Sequence, residues 1–381
     1  MCSSDLLVLD YTGWRRFSFN RWQCVYNAWG NGMPEWDLIR IVAFMPRRAS
    51  VDVLVDDLEF YTDPEVLPDD EQGAVVPVDI NLNQSQGDFP RLIYGFSQGG
   101  ESNDPDYLRP IVDALAHTMP ELIRIDHIYD YFEVWQGPGQ YDFSKLDKAL
   151  RCVIETGAQP LMCLGYMPKG LSENGTIDSM PSDLEEWGRL VEATVRHYKD
   201  EGYLFRYWEL WNEPNGAMLG DNIAPYLDLY RVTAQAVKRA DPHAYIGGPG
   251  LAGHPEHWII ELVEFCKREG LPLDFISYHD YKLTPRSYAA VASNLSYLLA
   301  VLLRQYNQVQ LVMDEWNADA GLNPTRNDGN YDAAYLAASL YYMDSSPLDV
   351  QCFFEPKDGW NPDAEWWGRW GLFTSANHPK A

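Results

Sequence analysis

Residues 207–214 read Tyr207-Trp208-Glu209-Leu210-Trp211-Asn212-Glu213-Pro214, a short run rich in aromatic and aliphatic side chains that stops at Asn-Glu-Pro. A run this short, bounded by turn residues, reads as a buried strand. Residues 223–239 follow with apolar side chains at helical spacing, and Ala244-Tyr245-Ile246-Gly247-Gly248 is the next short apolar run. Strand, amphipathic helix and strand in succession make a βαβ unit, whose two strands lie parallel.

The same alternation extends in both directions. Candidate strands fall at residues 91–96, 121–127, 159–164, 207–211, 244–248, 274–279, 309–314 and 349–354, with helices such as 143–155, 183–199, 223–239, 255–268 and 286–304 between them. Eight such units predict an α/β fold, a (β/α)8 TIM barrel over residues 91–381. Only loop-like sequence follows the eighth strand, so the barrel is expected to lack its last helix and to expose the flanks of its first and eighth strands. A doubly wound open sheet is the competing architecture. It needs a Gly-rich phosphate turn after the first strand, and Gly95-Phe96-Ser97-Gln98-Gly99-Gly100 lacks that spacing.

Upstream, residues 1–63 read as short β segments at 6–9, 16–19, 39–44 and 51–61, the material of a partial β-sandwich. Residues 64–90 carry Pro64, Pro68, Gly73, Pro77 and a polar run from Asn81 to Asp88, the punctuation of a linker. The abrupt entry into Leu6-Leu7-Val8-Leu9 suggests a truncated chain. No apolar stretch reaches the roughly 18 residues that span a bilayer, and no signal core is legible, so localisation is left open.

With 29 Lys+Arg against 56 Asp+Glu, the formal net charge is −27, which excludes the basic footprint that nucleic acid or an anionic membrane requires. The six cysteines (Cys2, Cys24, Cys152, Cys163, Cys266 and Cys352) show no CxxC pair and sit mostly in apolar runs, as buried thiols do. No His-x-His follows the first strand, so no metal or other cofactor is expected. The 14 Trp and 24 Tyr exceed what a core needs and leave rings to line a cleft.

Barrels of this type carry their chemistry at the C-terminal ends of the strands. There, two carboxylates stand out: Glu213 after the fourth strand, and Glu315 in Met313-Asp314-Glu315-Trp316-Asn317 after the seventh. Each follows an apolar strand and is flanked by Trp and Asn. Trp211-Asn212-Glu213-Pro214 together with Glu315 resembles the signature of clan A glycoside hydrolases. Residues 164–171, Gly247-Gly248-Pro249-Gly250 and Ser277-Tyr278-His279-Asp280-Tyr281 resemble glycoside hydrolase family 39 in particular, the β-xylosidase and α-L-iduronidase family. Residues 1–63, through Asp10-Tyr11-Thr12-Gly13-Trp14-Arg15 and Val55-Asp56-Asp57-Leu58-Glu59-Phe60, resemble half of a carbohydrate-binding jelly roll. In the family the accessory sandwich largely follows the barrel, whereas here the sandwich-like piece precedes it.

The resemblance implies a retaining glycoside hydrolase acting on oligosaccharides or polysaccharides, β-xylosidase-like, with Glu213 as acid/base and Glu315 as nucleophile. Arabinosidase, glucosidase, endo-glycanase and iduronidase-like activities are alternatives, and a non-catalytic carbohydrate-binding barrel is another. Retaining carboxyls sit about 5–5.5 Å apart, and an ionised Glu315 at that range would hold Glu213 protonated. The resemblance further implies that Asn212 binds the hydroxyl beside the anomeric carbon, that His279 and Tyr281 orient the nucleophile, and that Arg124 and His127 lie near the sugar, although Asp126 disturbs their spacing. A turn-forming Asn212 and a packed His279 are the competing readings. Of the tryptophans after the last two strands (Trp316, Trp360, Trp366, Trp367 and Trp370), Trp360 follows the eighth strand most closely and is the candidate sugar platform.

Overall fold

The eight short apolar runs read from residue 91 onward are the staves of a closed parallel barrel. The structure, a computed structural model, describes residues 92–282, 284–302 and 309–380. The sandwich and linker read into residues 1–63 and 64–90 lie outside the described residues, and what is described belongs to a unit spanning Phe89–Ala381. The strands are β1 (Ile93–Gln98), β2 (Leu122–Ile125), β3 (Trp135–Gly137), β4 (Gln140–Tyr141), β5 (Gln159–Leu164), β6 (Tyr207–Leu210), β7 (Tyr245–Ala252), β8 (Phe275–Tyr281), β9 (Gln310–Asn317) and β10 (Val350–Phe354). Eight of them close in the order β1-β10-β9-β8-β7-β6-β5-β2, while β3 and β4 form a small antiparallel hairpin that the sequence reading did not find.

Closure corrects one expectation. β1 pairs with β10 from Ile93↔Val350 to Ser97↔Phe354 and with β2 from Gly95↔Leu122 to Gln98↔Ile125, so neither end strand has a free edge. The helices present include α1 (Val112–His117), α2 (Ser144–Glu155), α3 (Leu184–Asp200), α4 (Ala224–Ala240), α5 (Glu256–Glu269), α6 (Ser287–Tyr297), α7 (Pro324–Asn327) and α8 (Asn330–Asp344). Among the described residues no helix follows β10. Instead the tail doubles back through a Lys357↔Phe373 bridge and sets Phe373 against Leu108, Ile111, Val112 and Leu115. On β1, Ile93, Tyr94 and Phe96 stay half-buried, whereas Phe353 on β10 is buried. No described helix is long and apolar enough to cross a membrane.

Local chemistry explains the helices. Asp183 caps α3 by accepting from the backbone N–H groups of Glu185 (2.9 Å) and Glu186 (3.0 Å), and the buried stripe of Trp187, Leu190, Val191, Val195 and Tyr198 lies at helical spacing. The helix predicted over 286–304 ends as α6 at Tyr297 and continues as a wider π turn over Leu298–Leu302.

The lumen is layered. Leu122, Leu161, Tyr207, Phe275, Val312 and Val350, from six strands, meet in one apolar cluster. Because alternate residues of a strand face the same side, the next inward positions are two further along. They are Arg124, Cys163, Glu209, Ser277, Asp314 and Cys352, all without exposed surface. An apolar floor thus carries a charged layer immediately beneath the strand ends.

Candidate active site

Two backbone irregularities aim the acids. Trp211 and Glu213, just past β6, have φ of 72° and 48°, a left-handed conformation that costs of order 1–3 kcal/mol per residue and is concentrated at functional sites. Glu213 N–H donates to Gly250 O (2.8 Å), and Gly250 itself has φ 59°, with room for no side chain between Trp211 O and Glu209. On β9 the register slips by one residue. Tyr278 pairs with Met313 but His279 pairs with Glu315, a β-bulge that breaks the alternation and turns both Asp314 and Glu315 inward.

The result is a tight convergence. One oxygen each from Glu213 and Glu315, with a ring nitrogen of His279, all lie within 4.8 Å of one another. Tyr281 Oη donates to Glu315 Oε1 at 2.5 Å. His279 Nδ1 is 2.9 Å from Glu213 Oε1 and 3.5 Å from Glu315 Oε2, so it bridges the acids. Asn212 Nδ2 donates to Tyr166 Oη (2.8 Å), and its Oδ1 accepts from Arg124 Nη2 (2.7 Å), which fixes the amide's orientation. His127 stacks between Tyr131 (4.3 Å between centroids) and Tyr166 (3.8 Å), with Nδ1 2.9 Å from Asp130 Oδ2.

Electrostatics modify one expectation. Burial pulls the His279 imidazole down, but Glu315, Glu213 and Asp314 outweigh it and push it up to about 9. Burial raises Glu213, but its hydrogen bond and attraction to His279 outweigh this and leave it below the usual carboxylate range. The imidazole therefore offsets the effect expected of Glu315.

The sequence profile of glycosyl hydrolases family 39 matches residues 81–350. The chain belongs to that family. It is 30% identical over 280 residues to a β-xylosidase of Geobacillus stearothermophilus (63% of this chain, 54% of the relative). It is 29% identical over 240 residues to a β-xylosidase of Caldicellulosiruptor saccharolyticus (56% and 48%). The chain thus spans about half the length of the curated relatives it matches. The crystal structure of a monomeric β-xylosidase from Caulobacter crescentus CB15 shares the fold with TM-score 0.66 at 23% identity, covering 78% of this chain and 68% of that one.

Two candidates of this family 39 barrel fall elsewhere than expected. Arg124 is fully buried in the lumen and approaches the site only through Asn212 and, at 3.8 Å, Glu315 Oε2. Trp360 is 75% exposed beside a shallow cavity of about 320 Å³ lined also by Asn361, Asp363, Glu365 and Ser375, and no described ring stacks on it. Trp370 packs instead near Tyr281, which holds Glu315, at 6.5 Å between ring centroids, and near Phe354 at 5.4 Å. Trp316 is core, against Tyr288 and Phe353.

Sequence reading also missed Tyr166, Glu209, Asp314 and Glu355. Glu355 is fully buried just past β10, accepts from Gln98 Nε2 (3.2 Å), and is pushed well above the usual range by burial and by Glu101. The available signal was strand alternation: Glu209 and Glu213 bracket one strand end, and Glu209 is two residues beyond inward-facing Tyr207.

Proposed function

We propose that this chain is a retaining glycoside hydrolase of β-xylosidase-like specificity, with Glu213 as acid/base and Glu315 as nucleophile. The observation that carries the reading is the 4.8 Å convergence of carboxyl oxygens from two different strand ends. That closeness favours direct attack on the anomeric carbon over the inverting arrangement, whose carboxyls stand about 6.5–9.5 Å apart to admit a water.

In the first step Glu315 attacks the anomeric carbon while Glu213 protonates the departing oxygen, forming a glycosyl-enzyme. In the second, Glu213 takes a proton from water, which displaces Glu315. His279 Nδ1 lies 2.9 Å from Glu213 Oε1, within direct proton-transfer distance of the acid/base. Tyr281 holds Glu315 by its Oε1, and Asn212, its carbonyl occupied by Arg124 and one N–H given to Tyr166, keeps a second N–H that suits a sugar hydroxyl. The relatives named β-xylosidase support a pentoside.

The test is hydrolysis of a panel of aryl glycosides by wild type and Glu315→Ala, with azide added to the variant. A glycosyl azide of inverted configuration identifies the nucleophile. Unchanged hydrolysis by the variant removes Glu315 from the reaction, and a wild type that binds oligosaccharide but cleaves nothing establishes a binding barrel instead.

A further inference from the structure

The charged layer of the lumen contains two fully buried carboxyls, Glu209 and Asp314, that the double displacement does not use. Their hydrogen bonding is lopsided. Glu209 Oε2 accepts from Arg124 Nε at 2.8 Å, and its Oε1 accepts from Ser277 Oγ, itself held by the N–H of Gly250. Asp314 Oδ2 lies 3.0 Å from the same Nε, but that N–H is already given to Glu209, and among the described residues no donor serves either Asp314 oxygen.

Arg124 has little left to offer. Its Nη2 donates to Asn212, and its Nη1 donates to Ser97 Oγ (3.4 Å) while lying 3.8 Å from both Asp126 Oδ2 and Glu315 Oε2. His279 Nε2, 3.7 Å from Asp314 Oδ1, is beyond hydrogen-bonding distance. One guanidinium and the His279 imidazole, the latter already shared between Glu213 and Glu315, cannot compensate Glu209, Asp314, Asp126 and Glu315 together, and a buried carboxylate left without a partner is strongly disfavoured. A proton on Asp314 removes the conflict, because the neutral acid becomes a donor and Glu209, within its reach, is the acceptor.

We propose that Asp314 is kept protonated, donates to Glu209, and with it forms a positioning unit that fixes Arg124 and, through Arg124, Asn212 and Glu315. The inference rests on the reading of Glu315 as nucleophile. The electrostatics run the same way. Burial raises both carboxyls, but Arg124 and the hydrogen bonds outweigh it at Glu209, whereas at Asp314 the Glu209 charge adds to it. With one carboxylate matched to one guanidinium, Arg124 stays seated in the lumen. Were both carboxyls ionised, Arg124 would be drawn down from Asn212; were both neutral, it would swing to Glu315 and tie up the attacking oxygen.

The experiment compares Asp314→Ala with Asp314→Asn. The alanine removes the donor and is expected to lower kcat by about tenfold or more while KM moves by about twofold or less, because what is displaced is the attacking Glu315 and an Asn212 contact that strengthens in the transition state. Asparagine keeps an N–H donor toward Glu209 and a carbonyl in place of the second oxygen, so it restores most of the lost kcat. If Asp314→Asn is as slow as Asp314→Ala while both melt with wild type, Asp314 acts as an anion and the proposal is wrong. It is equally wrong if the alanine variant turns over like wild type. Infrared difference spectra, wild type minus Asp314→Asn, give a readout that needs no turnover. A protonated-carboxyl carbonyl band lost in the variant supports the pair, and its absence overturns it, even if no glycoside is cleaved and the functional reading itself fails.

Discussion

Tyr281 Oη sits 2.5 Å from Glu315 Oε1, and the two residues come from neighbouring strands whose register slips by one residue just before they meet. The slip is what lets a strand-end tyrosine reach the glutamate. A hydrogen bond from a neutral donor to a carboxylate is worth about 1.5–3 kcal/mol. Tyr281→Phe is therefore expected to reduce kcat on an aryl glycoside by about tenfold to a hundredfold. Steady-state kinetics at the pH optimum check this, and a variant within about twofold of wild type would show that the bond does not steer the nucleophile.

His279 makes stability depend on pH. Its pKa is raised on folding, so its contribution is fully present below the unfolded value near 6.5 and is lost as pH rises through about 9. The contribution is about 3 kcal/mol at most. Wild type should lose its advantage over His279→Gln between about pH 6.5 and 9, measured as the difference in urea midpoint. A pH-independent difference would show that the imidazole is buried neutral.

Lys380 fastens the tail. Its ammonium lies 2.7 Å from both Asp328 Oδ1 and Asp358 Oδ2 and 2.8 Å from Arg369 O, all nearly sealed from solvent. Lys380→Ala leaves two buried carboxyls without a cation and is expected to cost about 3–5 kcal/mol. Burial pushes Asp358 up to about 6 even with Lys380 present, so the loss is expected to be larger at pH 8 than at pH 5, where the orphaned acids take up protons. Equal urea midpoints for wild type and variant at pH 8 would remove the clamp.

Trp360 and Trp370 should part company. Truncating the exposed ring, Trp360→Ala, is expected to shift stability by about 0.5 kcal/mol or less and to leave KM for an aryl glycoside within about twofold. Trp370 rests between Tyr281, Phe354 and the Arg369 guanidinium 4.2 Å from its ring, so Trp370→Ala lowers kcat/KM. The opposite ranking in kcat/KM would return the sugar platform to Trp360.

By itself the sequence determined the barrel and the two carboxylates that stand just past its fourth and seventh strands. The eight staves are local facts: short apolar runs between amphipathic helices, each legible because side-chain periodicity is a property of neighbouring residues. Glu213 and Glu315 are legible for the same reason, each standing just beyond an apolar run between Trp and Asn. Tertiary structure alone decided what lies beneath and beside them. Met313-Asp314-Glu315 read as a strand should face one acid inward, yet the bulge against β8 turns in both, because register belongs to a pair of strands and not to either one. The family resemblance puts Arg124 near the sugar. The pairing of β2 with β1 and β5 sets it in the lumen, where Glu209 and Asp314 from strands across the barrel surround it. Choosing Trp370 over Trp360 depends on the tail folding back across the mouth of β10, a contact that spacing along the chain does not encode.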